Sequence, residues 1–149
     1  MGAIQDALNS FGDQTVDIIR QNLASTGTNA SNETSKSLKS TLVEPNRIQV
    51  TGKPFIYVVE TGRAPRKSTK NSGLESKIEK WMKIRGITGG AKGITWYINK
   101  HGSKLFRKGG RKDIITPAIS KQRINRLTSE IAGISLDLLV KSIEDGKRR

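Results

Sequence analysis

Residues 117–143 read PAISKQRINRLTSEIAGISLDLLVKSI, and this stretch decides the fold. Ile119, Ile124, Leu127, Ile131, Ile134, Leu138 and Ile143 recur every three to five residues and read as one helix face kept for over twenty residues. Pro117 suits a first helical turn, Gly133 interrupts the pattern, and Gly146 is expected to stop it. Leu136, Leu139 and Val140 broaden the stripe near its end, which suggests burial on two sides, against a neighbouring subunit as well as the body. Lys147-Arg148-Arg149 then reads as a free basic tail.

A second long helix is expected at the other end, over residues 3–23. Its face is Ile4, Leu8, Phe11, Thr15, Ile18, Ile19 and Leu23, weakened locally by Gly12. Residues 24–41 change character, with Ser or Thr at nine of eighteen positions. Such a stretch buries too little to offset its ordering entropy, so a mobile loop is expected, ending in a helical turn near Lys36–Lys39. Asn29 and Asn32 open Asn-x-Ser/Thr triplets that read as loop residues. Two strands are expected at Thr41–Glu44 and Arg47–Thr51, turning at Pro45-Asn46.

The centre is built of short pieces. Phe55–Glu60 is apolar and β-branched, and its pattern fits a strand or a buried helix. Residues 61–72 read as an exposed basic loop. Leu74, Ile78, Trp81, Met82 and Ile84 make the stripe of a helix over 74–85, with Trp81 in the core and Gly86 as its cap. A second helix is expected over Ile94–His101, stopped by Gly102, then a basic loop or hairpin tip at 103–112 and a strand at Asp113–Thr116. The whole reads as one α+β domain over 1–149. A small antiparallel sheet packs with long N- and C-terminal helices and short central ones.

Charge is unevenly placed. The chain carries 27 Lys and Arg against 13 Asp and Glu. Residues 61–126 hold eighteen of those bases and three acids, Glu75, Glu79 and Asp113, so the net charge of +14 belongs to this block. Such a block attracts phosphate or an acidic protein surface. The candidate partner- or DNA-facing bases are Arg63, Arg66, Lys67, Lys70, Lys104, Arg107, Lys108, Arg111 and Lys112.

Recognisable reaction chemistry is sparse. Without cysteine there is no disulfide, thiolate nucleophile or cysteine-ligated zinc. His101 is the one histidine, and no nucleophile–base–acid set can be assigned around it. Gly86-Ile87-Thr88-Gly89-Gly90-Ala91-Lys92 glances at a phosphate loop, but Ala91 and Gly93 flank the lysine where Gly and Ser or Thr are required. Glu75 and Glu79, four apart among lysines, read as helix ion pairs. No catalytic, metal or cofactor residue is assigned, and the expectation is a non-enzyme. No apolar run reaches the ~20 residues of a membrane span, and the opening residues lack the basic-then-apolar order of a signal peptide. Synthesis in the cytoplasm is expected.

The order of motifs resembles a family. Tyr57-Val58-Val59-Glu60-Thr61-Gly62, followed by a basic proline-containing loop, is similar to the aromatic, Glu-x-Gly stretch of small neck, head–tail joining and tail-completion proteins of tailed bacteriophages. The helix ending Trp81-Met82-Lys83-Ile84-Arg85-Gly86, the helix ending at Gly102, the Phe106-Arg107-Lys108-Gly109-Gly110 loop and Ile115-Thr116-Pro117-Ala118 follow in that family's order. In place of its Asp-Thr-Gly-x-Leu-x-x-Ser segment stands Ser35-Lys36-Ser37-Leu38-Lys39-Ser40-Thr41-Leu42. The resemblance implies structural roles for Tyr57, Glu60, Gly62, Trp81, Gly86, Gly102, Phe106 and Pro117, and places Phe55–Glu60 beside or within the helical layer. It also implies a virion protein that forms a six- or twelvefold ring around the DNA channel, touching the portal or adjacent neck and tail proteins, with no enzymatic activity and no cofactor. A small basic nucleic-acid-binding protein is the alternative, since Trp81, Trp96, Tyr97 and Phe106 lie among the bases.

Overall fold

The computed structural model describes residues 2–28, 31–66 and 73–147. Helix α1 (Ala3–Ser25) is followed by a short α2 (Glu33–Ser37) and an antiparallel hairpin, β1 (Lys39–Val43) and β2 (Arg47–Thr51). Four short helices come next: α3 (Val58–Thr61), α4 (Leu74–Arg85), α5 (Ala91–His101) and α6 (Lys104–Arg107). A 3-10 turn (Thr116–Ile119) leads into α7 (Lys121–Lys147). The fold is α+β, with a two-stranded sheet, long terminal helices and short central ones.

The main core forms on α1. Val16, Ile19 and Leu23 pack against Leu38, Ile114 and Ala118, with Ile56, Val59 and Ile115 around them. Leu42 lies opposite Ile48 in the hairpin, which crosses α1 at Gly12. A Cβ on Gly12 would come within 2.6 Å of Ile48 Cγ1. The glycine that lowers helix propensity therefore lets the hairpin sit close on α1. A second, smaller core joins Ile78 and Met82 of α4 to Ala91 of α5, flanked by Leu74, Ile94 and Ile98.

Several expectations are corrected. Residues 24–41 are not one loop. Leu38 is buried, and Arg20 donates to the carbonyls of Ser35 (3.2 Å) and Leu38 (3.0 Å), fixing α2 and the start of β1 to α1. Glu33 receives Lys53 Nζ and Lys80 Nζ at 2.6 Å each. The hydrogen bond from Lys53, then that from Lys80, holds its carboxyl at about pKa 2. Lys80 thus pairs with Glu33 rather than with a glutamate of its own helix. Asn29 lies outside the described residues. Phe55–Glu60 is neither strand nor buried helix, but a turn followed by the single turn of α3, with Tyr57 72% exposed. Trp81 is not core; α4 buries Ile78 and Met82, and the indole beside them on the wheel is 43% exposed.

Residues 103–112 contain α6 rather than a plain loop or hairpin tip, and Asp113–Thr116 is not a strand. Ile114 is instead a fully buried plug. The C-terminal helix starts at Lys121, because Ser120 is extended (φ −61°, ψ 149°), and Gly146 lies within it. Most notably, α7 has no buried residue among those described. No helix among the described residues is long and apolar enough to cross a membrane.

Candidate interaction surface

The motif residues converge on one junction. Glu60 ends the apolar stretch, and its carboxylate faces the chain entering the 3-10 turn. Oε1 accepts the backbone N–H groups of Ile114 (2.9 Å), Ile115 (2.6 Å) and Thr116 (3.0 Å), and Oε2 accepts the Thr116 hydroxyl (3.0 Å). Burial pulls this carboxyl upward, but the donors of Thr116, Ile114 and Ile115 outweigh it and hold the pKa below the usual range. The Glu60 carbonyl accepts the Arg111 N–H at 2.8 Å. One residue therefore gathers the chain from 111 to 116.

The glycines make that approach possible. Gly62 has φ +74°, and a Cβ there would lie 2.2 Å from the Phe106 nitrogen. Gly102, at φ +81°, would meet Phe106 Cδ1 at 2.8 Å. Ser103 Oγ accepts the N–H groups of Arg63 (2.9 Å) and Phe106 (3.2 Å), and its own N–H donates to the Arg63 carbonyl (2.8 Å). Gly86 caps α4 at φ 63°, with Ile87 N–H donating to the Met82 carbonyl. Pro117 lies exposed in the first part of the 3-10 turn. Glu60, Gly62, Gly102 and Phe106 meet at the junction, whereas Tyr57, Trp81, Gly86 and Pro117 are separate from it.

The junction fixes how the bases are displayed. Arg63 is partly buried, and burial, then the nearby Arg66 charge, lowers its pKa. Arg66 N–H donates to the Asn99 carbonyl at 2.8 Å. Arg111 grips Asp113 through two bonds of 2.5 and 2.7 Å, so part of its charge is matched at home. Lys104, Arg107, Lys108 and Lys112 are exposed on and after α6. Lys67 and Lys70 lie outside the described residues, as do Arg148 and Arg149 of the basic tail.

The candidate bases read from the sequence do not include Lys92, taken there only as the lysine of a failed phosphate loop, or Lys100. Both stand on α5 four residues from Trp96, and that spacing could have found Lys100. Lys100 Nζ lies 4.8 Å from the Trp96 ring centroid, and the Arg107 guanidinium 5.1 Å from Tyr97. His101 rests against Tyr97 (4.7 Å between centroids). Trp96 and Tyr97 are 58% and 43% exposed, so α5 and α6 present a cationic, aromatic face to solvent. Among the described residues no group of three or more His, Asp or Glu is placed to hold a metal ion. No family model, curated protein or solved structure matches the chain.

Proposed function

We propose that the chain is a virion structural protein that assembles as a ring at the head–tail interface of a tailed bacteriophage, joining the portal or capsid vertex to the tail. The observation that carries this reading is α7, a long helix with an apolar stripe and no buried residue. Exposed apolar side chains at helical spacing along one element fit a subunit surface that another protein covers. The rest of the design agrees with a subunit of an assembly. A rigid junction at Glu60 displays a basic face, suited to a DNA channel or an acidic neighbour. The motif residues Glu60, Gly62, Gly102 and Phe106 have a shared structural reason to occur together, which supports the family resemblance. Deleting the gene from the phage tests the reading. Filled heads and free tails that fail to join are expected; normally tailed, infectious particles would refute it.

A second reading rests on Trp96 with Lys100 and Tyr97 with Arg107. Exposed rings beside cations suit stacking on single-stranded nucleic acid. It requires tight, steeply salt-dependent binding by the isolated chain, weakened by Trp96→Ala. Weak binding, unchanged in that variant, would leave the assembly reading alone.

A further inference from the structure

The apolar positions of α7 form two faces. Arg123 Nη2 reaches Thr15 Oγ1 at 3.3 Å, its guanidinium stacks 5.0 Å from the Phe11 ring, and Arg126, Leu127 and Glu130 continue the contact along a crevice shared with Phe11, Ser10 and Ala7, so α7 runs antiparallel along α1. Leu127, Ile131 and Ile134 are half-buried in this contact, and every residue from Ser135 to Lys147 is exposed. Counting antiparallel from Arg123 against Thr15 brings Ser135 level with Ala3, so the rest of α7 runs past the first turn of α1. At 100° per residue, about 3.6 residues per turn, Leu136, Leu139, Val140 and Ile143 share a face roughly opposite the Leu127–Ile131–Ile134 row, so Ile143 does not lie on one face with that row as the sequence pattern suggested. All four are more than half exposed, from 51% to 62%. A helix docked by one face has no use in a lone molecule for an apolar set on its other side.

The same chain carries a matching surface. Phe55, Val58 and Trp81, each about 40% exposed, line a groove with Val59, Leu105 and Arg85. No residue of α7 lines it. Its far edge is Gly27 and Thr28, just beyond the C-terminal end of α1. The groove and the free end of α7 therefore lie at opposite ends of a 23-residue helix, about 35 Å apart at 1.5 Å per residue. The charges beside the two surfaces are complementary. From Ser135 to Lys147 stand Asp137, Glu144 and Asp145 against Lys141 and Lys147. Asp137 and Glu144, seven apart, flank the Val140 side of the apolar face. The groove is edged by Arg85, and Lys77 stands over Phe55 at 5.5 Å; Lys53, over the same ring at 5.7 Å, is already paired with Glu33.

We infer that the distal face of α7, Leu136, Leu139, Val140 and Ile143, docks into the Phe55–Val58–Trp81 groove of a second copy of this chain. Two different surfaces at opposite ends make a head-to-tail contact, and such a contact closes into a ring when its rotation divides a full turn. The inference rests on the ring reading above and names the surfaces that would build it.

Engineered thiols report this contact cleanly, because the chain has no cysteine. Full-length Val140→Cys and Val58→Cys proteins are mixed and oxidised, and each is oxidised alone, with sedimentation run in parallel. Docking predicts a cross-linked pair in the mixture and little in either protein alone. It also predicts that Leu139→Glu with Ile143→Glu, exposed positions that leave the body intact, weakens self-association at least a hundredfold. Dominant Val140→Cys self-pairing would overturn the docking in favour of α7 meeting α7. Rings that form without the mixed cross-link would sink the docking and leave the ring reading standing. A wild-type chain that sediments as a monomer at every concentration would sink both.

Discussion

Replacing Glu60 with alanine strips the acceptor from three backbone N–H groups at once. Ile114 is fully buried, so its N–H cannot turn to water, and leaving such a donor unpaired costs about 2–3 kcal/mol. Ile115 and Thr116 are nearer solvent, and each adds roughly 0.5–1 kcal/mol. The total is about 3–5 kcal/mol, or roughly 6–20 °C in Tm for a chain of this size. Glu60→Gln keeps an acceptor oxygen but loses the charge, so a smaller loss of about 1–2 kcal/mol is expected. The pH dependence separates charge from shape. The folded pKa of Glu60 lies below its unfolded value, so its stabilisation is complete above the unfolded pKa and fades as pH falls through the folded one. The advantage of wild type over Glu60→Gln must therefore be full at neutral pH and shrink in acid, below the ordinary glutamate range. Urea titrations of the three proteins from pH 7 to pH 3 measure this. A midpoint for Glu60→Ala equivalent to less than about 1 kcal/mol, or a wild-type advantage over Glu60→Gln that does not shrink in acid, would refute the role assigned to the carboxylate.

Gly62→Ala should be among the most damaging single-methyl changes, because its Cβ meets backbone at 2.2 Å and its φ is +74°. A loss of about 3 kcal/mol or more, or failure to fold, is expected in thermal melts. Gly133→Ala should do the opposite: the site is helical with open space around it, so Tm should rise by about 2–4 °C, near 1 kcal/mol of helix propensity. Glu33→Gln should loosen α2 from Lys53 and Lys80 and speed hydrogen exchange over 33–37, with little change in the global midpoint because both pairs are solvent-exposed.

The terminal helices and the hairpin are legible in the sequence because their apolar periods are long or their turn chemistry is explicit. Leu8, Thr15, Ile19 and Leu23 follow one period and are all buried. Pro45-Asn46 marks the hairpin turn within two residues of the strand ends. The central pieces are less legible, since their conformation depends on distant partners. Ile114 is β-branched and apolar like a strand residue, yet its N–H goes to a side chain 54 positions away. Trp81 continues an apolar stripe, but α5 covers only the Ile78–Met82 side. For α7, periodicity finds the stripe but not what covers each side. In the structure Ile134 is half-buried and every described residue after it is exposed. In the basic block, the motif spacing pointed to Glu60 and Gly62 without saying that they meet Phe106 and Thr116. Lys92 is not legible as a partner of Trp96 until α5 is known to run from Ala91, because the sequence pattern starts that helix only at Ile94 and leaves Lys92 in a glycine-rich loop.

Electron cryomicroscopy of the head–tail junction, with mass spectrometry of the purified particles, tests the proposed assembly most directly. The predicted result is a ring of this chain around the DNA channel, six- or twelvefold, with the basic face toward DNA or an acidic neighbour. Particles whose neck density cannot hold this fold, and which lack its peptides, would contradict it.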